Sequence, residues 1–246
     1  MNLIHSLPLQ KTKLFYVTSA VHCAAGVICV SVDDRRKINI LLGREIPYSK
    51  TGLYGDWCDF GGKQEKSEGV IENAAREFTE ESMCAIRFSN MISTAGYNTY
   101  IKHLLQTKQY VSKFTVSISK CKYRQLHRIQ LKTYYIIEIP WQPALPFIFT
   151  NIRNKLLDAY HTYKQGKQNP AFPFSLLTHP AVTRLDNYHI KINKKYLEKQ
   201  SIGWWSLARL RYVVRINGKY KTHRFRKSFI QPLERIVQTL QAFYHY

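Results

Sequence analysis

An α/β fold is predicted by three features of the sequence. Short apolar runs rich in Val, Ile, Tyr and Phe alternate with segments of helical period, turn residues separate them, and 45% of the 246 residues are hydrophobic. Such a chain can bury a core, which excludes wholesale disorder, and its length suits one elaborated domain spanning 1–246.

Residues 26–32 and 38–46 read as two strands joined by the polar turn at 33–37. Residues 51–66, with Gly52, Gly55, Gly61 and Gly62, form a glycine-rich loop. A helix follows, capped by Ser67, with Val70, Ile71, Ala74, Ala75 and Phe78 at helical spacing as far as about Ser82. Two strands come next, at 113–119 and 133–139. The second is almost continuously apolar and therefore central. Pro140, Pro143 and Pro146 punctuate a connection to a helix at 152–163, whose apolar face is Leu156, Leu157, Tyr160 and Tyr163. Residues 165–180 are a loop and 202–207 a strand, 212–225 are a hairpin turning at Asn217-Gly218, and a helix at 233–243 closes the chain.

The most apolar stretch, 14–32, is interrupted by Thr18, Ser19, His22 and Gly26. A spanning helix needs about 20 predominantly apolar residues, so neither a membrane segment nor a signal peptide is expected, and a cytoplasmic setting follows. Five cysteines, Cys23, Cys29, Cys58, Cys84 and Cys121, contain no CxxC pair and fit reduced thiols. The histidines show no metal-ligand spacing.

Charge divides the chain. The first 97 residues hold 11 basic and 11 acidic side chains, so the whole formal charge of +21 lies in 98–246, where 26 Lys and Arg face five acids. That portion is suited to a polyanion.

The segment 62–84 carries the chemistry. Five residues separate Gly62 from Glu68 and seven separate Glu68 from Arg76, after which Glu77, Phe78 and Thr79 lead to Glu80-Glu81. On a helix, Glu77, Glu80 and Glu81 share a face and Arg76 stands one turn from Glu80. Converging carboxylates repel unless a cation sits among them, and oxygen ligands suit Mg2+ or Mn2+. Metal-assisted attack of water on a phosphoanhydride, with a glutamate as base, is the implied reaction. Three acids alone would read as a solvated helix face, and the complete pattern shifts the balance.

The complete pattern resembles the Nudix hydrolase signature, G-x5-E-x7-R-E-U-x-E-E-x-G-U with U apolar. Met83 stands where that signature has its last glycine, and Phe60 precedes Gly61-Gly62 where the family usually has proline. Ala25-Gly26-Val27 and Leu41-Leu42-Gly43-Arg44 resemble the family's opening strands, Trp57 its loop, and Trp204-Trp205-Ser206-Leu207 the strand before its final helix. The resemblance implies an α/β/α sandwich around a mixed sheet, here with basic C-terminal elaborations, and metal-dependent cleavage of a nucleoside diphosphate linked to another moiety. It further implies that Glu77, Glu80 and Glu81 are metal ligands, with one doubling as base. Arg76 would orient Glu77, Glu68 would support the cluster, and the Gly61 carbonyl would complete the coordination. Family enzymes often recruit a further carboxylate, for which Glu198 is the first candidate and Glu138 the second.

Two basic runs point to RNA as the polyanion. One is Lys120, Lys122, Arg124 and Arg128. The other is Arg209, Arg211, Arg215, Lys219, Lys221, Arg224, Arg226 and Lys227, interleaved with Tyr212, Tyr220 and Phe225. Cations neutralise phosphates and aromatic faces stack bases, and Trp57, Trp141, Trp204 and Trp205 are further stacking candidates. An mRNA-decapping hydrolase is the joint expectation, with no obligate protein partner. A diphosphoinositol polyphosphate or dinucleoside polyphosphate hydrolase is one alternative, and an inactive RNA-binding module is another.

Overall fold

The computed structural model describes residues 19–47, 55–88, 94–123, 126–169, 172–186, 189–220 and 223–245. Its strands are β1 (Ser19–Val32), β2 (Ile38–Glu45), β3 (Trp57–Cys58), β4 (Phe60–Lys63), β5 (Ser112–Tyr123), β6 (Leu126–Glu138), β7 (Val182–Arg184), β8 (Ile190–Ile192), β9 (Lys199–Ser206), β10 (Lys219–Tyr220) and β11 (His223–Arg224). The helices are α1 (Val70–Ser82), α2 (Tyr97–Gln106), α3 (Leu145–Lys164), α4 (Leu207–Arg215) and α5 (Lys227–Phe243). Seven strands form one mixed sheet in the order β3-β2-β1-β6-β5, with β4 paired to β1 and β9 to β2. Within it β1 and β6 run parallel and the other pairs antiparallel.

Alternation along the strands divides the core into two layers. Ala25, Val27 and Cys29 of β1, with Tyr135 and Ile137 of β6, pack under α1, α2 and α3. Ile28 and Val30, with Tyr134 and Ile136, pack against Leu207, Leu210 and Val213 of α4 and Phe229, Leu233, Ile236 and Leu240 of α5. Each fully buried side chain of this size contributes about 1.5–3 kcal/mol. Helices on both faces of a mixed sheet make the predicted α/β/α sandwich, with β6 inside the sheet as its apolar run requires.

Several local expectations need correction. Ser67 does not cap α1: it has a φ of 71° and the N-cap is Gly69. Residues 97–106 form a helix, α2, that is not among the expected elements. Helix α3 begins at Leu145 and takes Pro146 into its first turn, where a missing N–H costs nothing. The expected 212–225 hairpin is largely replaced by α4, whose Leu207, Leu210 and Val213 bury one stripe and whose cap Ser206 accepts from the Arg209 N–H. Asn217 and Gly218, at positive φ, end that helix, and the hairpin shrinks to β10 and β11. Helix α5 starts at Lys227 and carries Pro232 internally.

Cys23, Cys29, Cys58 and Cys84 are free thiols, and the side chain of Cys121 lies outside the description. Among the described residues, no helix is long and apolar enough to cross a membrane.

Candidate active site

Strand β1 changes partner halfway along one edge: residues 24–27 pair with β4, and residues 29–32 pair with β2. Where β1 meets β4, Gly26 faces Gly61, and a Cβ on Gly61 would stand 2.5 Å from the Ala25 carbonyl oxygen and 2.8 Å from Asp59. Only glycine permits this approach. It brings β4 under α1, to which it is tied by the Asn73 side-chain amide donating to the Gly62 carbonyl at 3.3 Å. The helix ends at Met83 in the left-handed region (φ 51°), the conformation for which the signature's glycine is suited. Met83 is fully buried, and its carbonyl accepts from His179 Nε2 at 2.9 Å.

Arg76 organises the outer acids. Its Nε and NH2 donate to the two oxygens of Glu68 at 2.6 and 3.1 Å, while NH1 lies 2.9 Å from Glu77 and 3.0 Å from Glu80. The Arg76 bonds hold the Glu68 carboxyl below its ordinary range. Burial pushes Glu77 and Glu80 the other way, against the pull of the same guanidinium.

Beside this network opens a cleft of about 390 Å³ lined by Glu77, Glu81, Glu198, Glu45, Asp59, Gly61 and Gly62. Glu80, Glu68 and Arg76 are not part of its lining. Glu81 is buried: its Oε2 accepts the Gly61 N–H at 2.6 Å and its Oε1 lies 3.0 Å from Lys199 Nζ. Burial raises its carboxyl to about 7 despite the lysine. Glu198 is exposed at the rim, and among the described residues its carboxylate makes no hydrogen bond or ion pair. Glu138, the second candidate, accepts instead from the Tyr244 hydroxyl at 2.9 Å and does not line the cleft.

Cations line the cleft as well. Lys132 Nζ lies 2.6 Å from Asp59 and 4.9 Å from the centre of the Tyr134 ring, and Arg226 NH2 lies 3.0 Å from Glu45. Lys132, Asp59 and Glu45 of the lining, and Lys199 beside Glu81, belong to no motif in the sequence. A lysine preceding the apolar run of a central strand was the available signal for Lys132.

Of the residues expected to bind nucleic acid, Arg226 is the one that lines the cleft among the described residues, beside Lys63 and Lys132. Arg211, Arg215 and Lys227 are exposed, and Arg224 pairs with Asp56 at 3.1 Å. Arg124 and Lys221 lie outside the described residues, and Lys120, Lys122 and Arg128 lie along β5 and β6 with side chains outside the description. Trp57 and Trp205 are buried edge to face at 5.2 Å. Trp204 is half-buried and packs on Trp141. Phe60 is fully buried against Phe78, so it shapes the core under α1 and does not line the cleft.

The donors facing the cleft are all hard oxygens, and Gly62 leaves a cradle around Glu77 that a Cβ would fill. This chemistry fits Mg2+ or Mn2+. Among the described residues, no three His, Cys, Asp or Glu side chains are gathered as a ready metal cage.

No family profile and no curated protein matches the sequence. In structure, the chain is similar to the Nudix hydrolase RenU of M. smegmatis, with 12% identity, 91% of this chain and 88% of that one covered, and a TM-score of 0.43. It is also similar to an Ap4A hydrolase of C. elegans, with 12% identity, coverage of 92% and 98%, and a TM-score of 0.39. A third is a bifunctional NMN adenylyltransferase/ADP ribose pyrophosphatase of Francisella tularensis, with 10% identity, coverage of 90% and 42%, and a TM-score of 0.40.

Proposed function

We propose that the chain is a Nudix-type phosphoanhydride hydrolase whose substrate is the 5′ cap of RNA. The carrying observation is the cleft itself, whose lining gathers Glu77 and Glu81 of α1 and Glu198 together with Lys132 and Arg226. Glu77 and Glu198, with the Gly61 backbone, would hold Mg2+ or Mn2+, which when bound supplies Lewis-acid polarisation of a phosphoryl oxygen. Arg76 fixes the Glu77 carboxylate through the Glu68 clamp, so its placement costs no reorganisation during reaction. Glu198 is open to solvent and adjacent to Glu77, which suits it to take a proton from the attacking water. Lys132 and Arg226 would meet the phosphate oxygens, and Lys63 is exposed at the mouth. The excess of cations beyond residue 97, including exposed Arg211, Arg215 and Lys227, supports a long polyanion over a small one.

The test is cleavage of cap-labelled RNA with Mg2+ or Mn2+, beside a dinucleoside polyphosphate and a diphosphoinositol polyphosphate. Release of the capped nucleoside diphosphate, leaving 5′-phosphorylated RNA, is expected. Turnover of a small polyphosphate with none of capped RNA would overturn the RNA reading and retain the hydrolase.

A further inference from the structure

Both oxygens of Glu81 are engaged by the protein, one by the Gly61 N–H and the other by Lys199 Nζ. Lys199 is only 1% exposed, and its ammonium also lies 3.0 Å from Cys58 Sγ and 3.9 Å from Glu45 Oε1. Its stem fills the space over Gly43, where a Cβ would stand 2.9 Å from Cδ and Cε. The pairing of β2 with β9 thus locks the ammonium in place. A fixed, desolvated cation offsets repulsion among inner carboxylates as a metal ion would, and removing one partner of such a pair leaves an uncompensated buried charge. The outer carboxylates differ. Among the described residues, Glu77 has one oxygen on Arg76 and no partner for the other, and Glu198 has neither oxygen engaged.

We infer that Lys199 is a resident cation of the site: Glu81 is its charge partner and not a metal ligand, and the divalent ion is taken by the outer carboxylates Glu77 and Glu198. This rests on the divalent-metal reading above. It makes the inner half of the acid cluster permanently neutralised by the chain itself and restricts the exchangeable cation to the solvent side.

Mn2+ titration of the full chain, followed by the electron paramagnetic resonance signal of the free ion, tests it. Glu81→Gln/Lys199→Met removes the buried pair together and strands no charge. It is expected to keep the wild-type number of Mn2+ ions with affinity within about threefold, whereas Glu77→Gln weakens binding about 10–100-fold. Glu81→Gln alone carries the same expectation as the double variant, so the result does not depend on one protein folding. Lys199→Met alone, which frees a carboxylate, is expected to bind Mn2+ more tightly or to take one ion more. A lost ion, or a tenfold loss of affinity, in a folded Glu81 variant would make Glu81 a ligand and overturn the inference. If the wild-type protein binds no Mn2+, the metal reading itself fails and takes the inference with it.

Discussion

A Cβ on Gly62 would stand 2.6 Å from the carboxylate carbon of Glu77, so the glycine of β4 and the glutamate of α1 are matched in space although 15 residues apart. Gly62→Ala should push Glu77 out of the cleft. The obstacle is the far end of a side chain, so the fold should lose no more than about 1 kcal/mol, within the range of ordinary substitutions. Turnover should fall roughly 100-fold, as expected when a reacting group is displaced by about 1 Å. Steady-state kinetics alongside urea unfolding separate the two effects. Wild-type turnover in a stable variant would show that the placement of Glu77 is unimportant.

Arg76 holds Glu68 through two parallel bonds and reaches Glu77 and Glu80 with a third nitrogen. Lysine keeps the charge but cannot form this fork. Arg76→Lys should therefore lower kcat by about 10–100-fold, the scale seen when partners that orient a site are lost, and cost about 1–3 kcal/mol of stability. Retention of both in kinetic and unfolding assays would reduce the arginine to a point charge.

Two opposed groups contribute to the pH dependence of the metal-free protein between pH 5 and 8. Glu81 rises from 4.5 to about 7 in the folded chain, so its contribution to stability is present below about 4.5 and is lost as pH climbs through 7. Burial lowers His179 from 6.5, so its contribution is present above 6.5 and is lost on acidification. Urea midpoints in chelator from pH 5 to 8 should fall toward alkaline pH more steeply in the wild type than in Glu81→Gln. Parallel curves would place the Glu81 carboxyl outside this range.

Met83 occupies a left-handed turn at φ 51° while burying its side chain completely. Glycine relieves backbone cost of about 1 kcal/mol there, but loss of the buried thioether costs about 2–5 kcal/mol. Met83→Gly should thus destabilise the protein even though it restores the signature. A raised melting temperature in calorimetry would mean that strain outweighs packing at this turn.

The helix with its glutamates was legible because spacing along one helix is a local property: Glu77, Glu80, Glu81 and Arg76 are set by a single stretch of chain. Lys199 and Lys132 were not legible as site residues, because long-range pairing of β9 with β2 and of β6 with β1 delivers them. Glu198 is a candidate because acids are scarce in the basic portion, and it lines the cleft. Helix α2 could have been read from Tyr97, Ile101, Leu104 and Leu105, all buried on one face. Helix α4 was hidden by Asn217-Gly218, whose turn chemistry served to stop a helix and not to fold a hairpin.

The most direct measurement is hydrolysis of capped RNA in 18O-labelled water by the wild-type chain and by Glu77→Gln, with and without Mg2+ or Mn2+. Metal-dependent turnover that places one labelled oxygen on a phosphate of the products, and falls at least about 100-fold in the variant, is the predicted result. Turnover that needs no divalent ion, or that survives Glu77→Gln unchanged, would contradict the assignment of this cleft as the site of phosphoanhydride hydrolysis.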